Sequence, residues 1–277
     1  MTLGPRIESL RECEGSRARS AERNLNPLLR AAAGFFLPSR CLACRRRAVE
    51  RFFRGGVCED CWGALDRQQE ARCGVCDEPL PDGGETPTPA ARCGRCLLSP
   101  PPFRSLRAAA PYRGPARAIL IAFKFGGTDI LAPHLARILI ERLPAPADAE
   151  EVTAVPATAR ARRRADHAAE LLAAALAESL SLPFVPGRLE KIRATERQSG
   201  LPLARRAGNV RGAFRARPGA PRHVLLVDDV ATSGATAREC AHLLVRAGAR
   251  TVDVWCFARA SRDDMLRNRV IRDRAIV

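Results

Sequence analysis

Eight cysteines between residues 41 and 96 fall into four CxxC pairs: Cys41/Cys44, Cys58/Cys61, Cys73/Cys76 and Cys93/Cys96, separated by 13, 11 and 16 residues. A CxxC turn aims two thiolates at one metal ion, and two such knuckles complete a tetrahedral sulfur site. Four knuckles predict two structural zinc ions. The stretches RGGVCEDC and EPLPDGG supply glycine- and proline-rich turns of the kind zinc ribbons use. Joining the first pair to the second and the third to the fourth is the simplest topology, with interleaving as the alternative. Disulfides fit poorly with a chain that reads as cytoplasmic, and four redox motifs in so short a span would be unusual. Cys240 and Cys256 lie on helix and strand patterns and read as core residues, and Cys13 lies in a tail with no evident partner.

The cytoplasmic reading rests on two features. Arg6, Glu8, Arg11, Glu12 and Glu14 precede any apolar stretch, which is wrong for a secretory signal. No apolar run approaches the roughly 20 residues that span a bilayer, so no membrane insertion is expected. A length of 277 residues accommodates one large α/β domain plus something small.

Charge is unevenly placed. Of the formal +16, residues 101–277 carry +13, and residues 188–217 alone hold nine basic and two acidic groups. A field of that sign favours phosphates, pyrophosphate or nucleic acid; an arginine-rich style with a solvated basic face is the alternative. Only Lys124 and Lys191 among the 46 basic residues are lysine, which hints at a need for a compact point charge there. Two zinc ions on eight thiolates move residues 36–100 from +1 to about −3, so that region reads as structural rather than as a nucleic-acid clamp.

The organisation follows from these boundaries: an N-terminal tail and short helix over 1–35, a double zinc ribbon over 36–100, an α/β domain over 101–262 and a C-terminal tail over 263–277. LNPLLRAAAGFFL (25–37) reads as an amphipathic helix leading into the first knuckle. Beyond the prolines at 100–102, strand and helix patterns alternate. Strands are predicted at 106–111, in EVTAVPA up to Pro156, at 223–228 and in TVDVWCFA. Helices are predicted over about 115–125, 129–143, ADHAAELLAAALAESL and 235–247, the last with Ala237, Cys240, Ala241, Leu244 and Val245 on one face and Gly248 at its end. PFVPGRLEKI reads as extended and 193–211 as a polar, basic segment. This alternation implies a mostly parallel sheet with helices on both faces. No Walker loop or GxGxxG fingerprint is present.

HVLLVDDVATSGAT (223–236) ends one of these strands, where parallel sheets bind ligands. Its ATSGAT loop enters a helix with backbone N–H groups, three hydroxyls and the positive helix end, which together make a phosphate site. Asp228 and Asp229 cannot face that phosphate without repulsion. They require hydroxyl donors or a cation, such as a ribose diol or Mg²⁺, and a ribose 5-phosphate satisfies both halves.

VLLVDDVATSGAT resembles the phosphoribosyl-pyrophosphate (PRPP) motif of type I phosphoribosyltransferases. The whole chain resembles the ComF family of competence-associated proteins, which join a double zinc ribbon to that Rossmann-like domain. PYRGPARAILIAFKFGG (111–127), AVPATARARR (154–163) and QSGLPLARRAGNVRGAF (198–214) carry the resemblance further. It implies that Asp228 and Asp229 hold the ribose hydroxyls, one of them through magnesium. It implies that Ala231, Thr232, Ser233, Gly234, Ala235 and Thr236 cradle the 5-phosphate, with Lys124 in the PRPP site. Val155, Pro156, Ala157 and Thr158 would form the pyrophosphate loop, with Arg162 to Arg164 nearby, and the segment around Arg193 to Gln198 would be the loop that closes over substrate. One departure stands out: members read close to RGFNQ where this chain has RADHA (Arg164 to Ala168), and His167 there reads as an exposed helical histidine.

Two functions follow as expectations. The first is transfer of phosphoribosyl from PRPP to an acceptor, in a protein associated with DNA uptake. The second is a non-catalytic platform for single-stranded DNA that responds to PRPP, with competence helicase or recombination proteins as partners. The aspartates and hydroxyl loop favour the first, and the basic span serves either. The second lacks the aromatic interleaving of a single-strand stacking surface.

Overall fold

The computed structural model describes residues 39–49, 53–65, 71–80, 91–125, 129–146, 148–157, 167–195 and 203–261. The helix expected over 25–37, both tails and Cys13 lie outside these residues.

The ribbon region is built from short pieces. β1 (Ser39–Arg40) pairs antiparallel with β2 (Ala48–Val49), a 3-10 turn spans Phe53–Gly56, and α1 (Glu59–Gly63) and α2 (Gly94–Leu98) each begin directly after a cysteine. The larger domain then runs β3 (Ser105–Pro111), α3 (Gly114–Phe125), α4 (Leu131–Arg142), β4 (Glu151–Ala154), α5 (Ala168–Leu180), β5 (Leu189–Lys191), α6 (Leu203–Val210), β6 (Phe214–Ala216), β7 (His223–Ala231), α7 (Ala235–Arg246) and β8 (Thr251–Arg259). Strands β3, β8, β7 and β4 form one sheet in that order, with every neighbouring pair parallel. β7 and β8 read as near-continuous apolar runs because both of their faces are covered.

Two cores result. On one face of the sheet, Ile119, Leu120 and Phe123 of α3, Leu135 and Leu139 of α4 and Leu172 and Leu176 of α5 pack with Leu225, Val227 and Phe257. On the other, Cys240, Ala241 and Leu244 of α7 pack with Val224, Leu226, Val252 and Val254. Each half of the ribbon joins a different core: Cys41, Cys58, Cys61 and Leu65 the first, Cys73, Val75, Cys76 and Cys96 the second. The second half also covers the edge of the sheet. Leu106 N–H donates to the Val75 carbonyl at 2.7 Å and Ala108 N–H to Asp77 Oδ2 at 3.2 Å, so β3 does not present open backbone groups there.

Several elements differ from the sequence reading. β7 continues past the 228 expected as its end to Ala231, because β8 pairs with it as far as Ala231↔Arg259; Asp229 as well as Asp228 therefore lies inside the strand. β4 stops at Ala154, although Val155 N–H still bonds the Val227 carbonyl at 2.9 Å. The basic segment contains α6, whose Val210 buries against the second core. PFVPGRLEKI turns at Pro186–Gly187 and then gives β5, which pairs antiparallel with β6. Val245 is 39% exposed and does not belong to the buried face of α7. Gly248 follows the last turn of that helix at φ +123, where a Cβ would meet the Ala220 carbonyl oxygen at 3.0 Å. Among the described residues, no helix is long and apolar enough to cross a membrane.

Candidate functional site

The eight CxxC cysteines form two clusters, Cys41/Cys44/Cys58/Cys61 and Cys73/Cys76/Cys93/Cys96, with ligand atoms within 4.8 Å of one another in each. The pairing is sequential. The surroundings fit a thiolate-bound metal. Cys44 and Cys58 N–H groups point at Cys41 Sγ at 3.5 and 3.3 Å. The N–H groups of Arg46 and Arg47 lower the Cys44 thiol to about 6. Burial opposes ionisation of Cys73, yet N–H groups of Cys93, Cys76 and Val75 outweigh it and bring that thiol to about 7. At the second site, Arg95 Nη2 lies 4.0 Å from Cys76 Sγ and Arg238 Nη2 lies 4.0 Å from Cys96 Sγ. Burial raises the Cys58, Cys61, Cys76 and Cys96 thiols, so a metal ion displaces their protons as it completes a closed tetrahedral zinc site in each cluster.

The other constellation lies at the carboxyl ends of β4 and β7. Asp229 is buried, and its Oδ2 accepts the Lys124 ammonium at 2.7 Å. Lys124 sits in the last turn of α3, where the negative helix end also suits a cation. Burial works against its charge, but Asp229 more than compensates and raises its affinity for the proton. Asp228, half-buried, accepts the Asp229 backbone N–H on Oδ1 at 2.8 Å. Burial, and then the Asp229 charge, pushes its carboxyl up to about 7, against the pull of Lys124. The two aspartates sit in different surroundings. Asp229 turns to α3, whereas Asp228 acts on Cys240 of α7, whose thiol is held protonated by burial and then by that charge.

The loop after β7 is turned sharply into α7, with Ser233 and Gly234 both buried. Gly234 adopts φ +73 at the N-cap of α7, a left-handed conformation that a side chain would strain. Ser233 is buried, and its Oγ accepts Ala235 N–H at 3.3 Å. Pro156 and Ala157 follow β4 beside this strand end, half-buried. Thr158, Arg162 to Arg164 and 196–198 lie outside the described residues. His167, expected as an exposed helical histidine, lies just before α5, partly exposed, with Nδ1 3.0 Å from Glu170 Oε2. Arg193 donates to the Asn209 and Arg211 carbonyls, both at 2.9 Å, and so braces the β5–β6 connection.

Sequence reading misses the arginines behind the loop. Arg259, fully buried, donates to the Thr232 carbonyl and to Glu78, and Arg95 donates to the Ser233 carbonyl. The one available signal is a charged residue closing an apolar strand, TVDVWCFAR.

A family profile described as a double zinc ribbon domain matches residues 32–97. "DNA utilization protein YhgH" of Salmonella typhi is 34% identical over 234 residues, covering 80% of this chain and 98% of that protein. The protein of the same name in Escherichia coli K12 is 32% identical over 231 residues, with 80% and 98% coverage. "Competence protein F" of Haemophilus influenzae is 29% identical over 239 residues, covering 81% of this chain and 99% of that protein. A solved adenine phosphoribosyltransferase is 18% identical with a TM-score of 0.27, over 55% of this chain and 74% of that one, too low a score to carry an argument. With a double zinc ribbon ahead of a parallel α/β sheet and relatives matched over nearly their whole length, the chain belongs to the ComF family of competence and DNA-utilization proteins.

Proposed function

We propose that the protein binds PRPP with magnesium at the carboxyl ends of β4 and β7 and transfers its phosphoribosyl group to an acceptor. The observation that carries this reading is one strand end that joins the Lys124–Asp229 pair and Asp228 to a glycine-turned loop entering α7. The amides and hydroxyls of Ala231 to Thr236 hold the 5-phosphate at the positive end of α7. Asp228 and Asp229 take the ribose diol, and Asp228, which Lys124 does not contact directly, is the carboxylate that would hold magnesium. Pro156, Ala157 and Thr158 line the pyrophosphate. Magnesium, when bound, neutralises charge on the pyrophosphate.

In the reaction, the bond from the anomeric carbon to the pyrophosphate oxygen breaks, and both electrons leave on pyrophosphate. The acceptor's lone pair forms the new bond, and its proton passes to solvent. Positioning and stabilisation of the leaving charge supply the acceleration. Lys124, bonded to Asp229 beside the proposed diol site, would stabilise that charge. The relatives' names, DNA utilization protein and competence protein, support a role for this activity in DNA use.

The test is pyrophosphate release from PRPP and Mg²⁺ across a panel of nucleobases and amines. Release with at least one acceptor is the expected result. PRPP binding without release for any acceptor favours the non-catalytic, PRPP-responsive platform for single-stranded DNA. Absence of PRPP binding removes both.

A further inference from the structure

The loop between β7 and α7 is held from behind by two guanidinium groups. Arg259 Nη1 donates to the Thr232 carbonyl at 2.6 Å, and Arg95 Nη1 donates to the Ser233 carbonyl at 2.5 Å. Both arginines lead back to the second four-cysteine site. Arg95 lies between Cys93 and Cys96, and its other terminal nitrogen approaches Cys76 Sγ. Arg259, with no side-chain exposure, donates Nη2 to Glu78 Oε2 at 2.6 Å, two residues beyond Cys76. Arg238 of α7 closes the same junction by donating to the Ser99 carbonyl at 2.8 Å and approaching Cys96 Sγ. The first site, by contrast, packs into the opposite core.

In a trans peptide the carbonyl and the following N–H point in opposite directions, and the described chain has no cis bonds. A carbonyl of Thr232 fixed toward Arg259 therefore turns the Ser233 N–H away from it. A carbonyl of Ser233 fixed toward Arg95 does the same for the Gly234 N–H. We propose that Arg95 and Arg259 are positioning residues that aim these two amides at the ligand, and that the second four-cysteine site, but not the first, holds this clamp in place. The identity of the ligand as a phosphate rests on the PRPP reading; the clamp itself does not.

Hydrogen exchange of loop amides 231–237 in the full-length, ligand-free protein tests the clamp, with α5 amides as an internal reference. Arg95→Ala should keep about two zinc ions per chain. Its loop exchange should rise about tenfold, as removal of one hydrogen bond to a charged group implies. Arg95→Lys should fall between. Cys93→Ser should raise loop exchange relative to α5, whereas Cys44→Ser should not. Unchanged loop exchange in Arg95→Ala, or an equal rise in Cys44→Ser, overturns the proposal. Protection of the same wild-type amides by PRPP and Mg²⁺ is a separate measurement; its failure removes the PRPP reading and leaves the clamp to be decided by the ligand-free data.

Discussion

The Lys124 ammonium lies 2.7 Å from Asp229 Oδ2 and ties the end of α3 to the end of β7 across one mouth of the sheet. A paired acid at a strand end needs a cation or hydroxyl donors, and here the chain itself provides a cation for one of the two carboxylates. Asp228 has a different environment, bonded to the Asp229 backbone N–H and raised toward neutrality. The pair is thus two unlike groups.

Lys124→Met should weaken PRPP binding, because Asp229 loses its counter-charge and the pyrophosphate loses a cation. The loss should be about 1.5–3 kcal/mol, the scale of a hydrogen bond to a charged group. Lys124→Arg should not restore it fully, since a planar fork does not replace a point charge in a confined position. The double change Asp228→Asn/Asp229→Asn should lose a similar amount per carboxylate. Calorimetry with PRPP and Mg²⁺ reads all three, and wild-type affinity in Lys124→Met or in the double variant removes those residues from the site.

Asp228 gives a pH dependence with a definite sign. Its ordinary value is 3.8 and burial lifts it to about 7 in the folded chain. Between those values the folded state keeps a proton that the unfolded state has lost, so ionisation costs stability as pH rises toward about 7 and levels off above it. Asp228→Asn removes that cost. The variant should gain on the order of 2 kcal/mol relative to wild type between pH 5 and pH 8. Urea unfolding in zinc-replete buffer at the two pH values measures the gap; an equal gap at both would mean Asp228 ionises normally.

The parts legible in the sequence are those written at short spacing. CxxC pairs announce metal ligands because a tight turn is local, and VLLVDDVATSGAT announces strand, acids and loop in a single run. Lys124 stands out by its rarity among arginines, but its partner lies more than a hundred positions away, and no periodicity links them. The clamp is less legible still, since Arg95 and Ser233 are 138 positions apart and Arg259 and Glu78 are 181 apart. α6 is hard to see in the sequence because it is only eight residues long and two of them are adjacent arginines; among its described side chains, Val210 is the buried one. The formal charge of 188–217 overstates the free charge: Arg188, half-buried, pairs with the buried Glu151, and Arg215 and Arg217 share Glu190.

Purified, reduced protein should carry about two zinc ions, since the two clusters are separate and each is complete. A serine at Cys44 should remove one ion, and a serine at Cys93 the other. Elemental analysis with native mass spectrometry distinguishes the cases. A ratio near zero in metal-replete wild type would falsify the ribbon assignment.

Single-stranded DNA should bind weakly through the basic residues of the 188–217 zone outside the Glu151 and Glu190 pairs. Three of the nine basic residues in 188–217 are committed to Glu151 and Glu190, whereas Arg205 and Arg211 stand exposed on and just after α6. Replacing Arg205, Arg206 and Arg211 with alanine should lower affinity and reduce the salt slope by about 2, at roughly 0.7 for each phosphate that a single strand no longer has neutralised. PRPP affinity should stay nearly unchanged, because Lys124, the aspartates and the loop at 231–236 are untouched. Excess PRPP with Mg²⁺ should compete with DNA for the wild type if the segment after β5 closes over the same cleft. Fluorescence anisotropy of a labelled oligonucleotide across a salt series measures slope and competition together. Wild-type binding by the triple variant would make the zone a solvated face, and phosphoribosyl transfer would then stand without a DNA platform beside it.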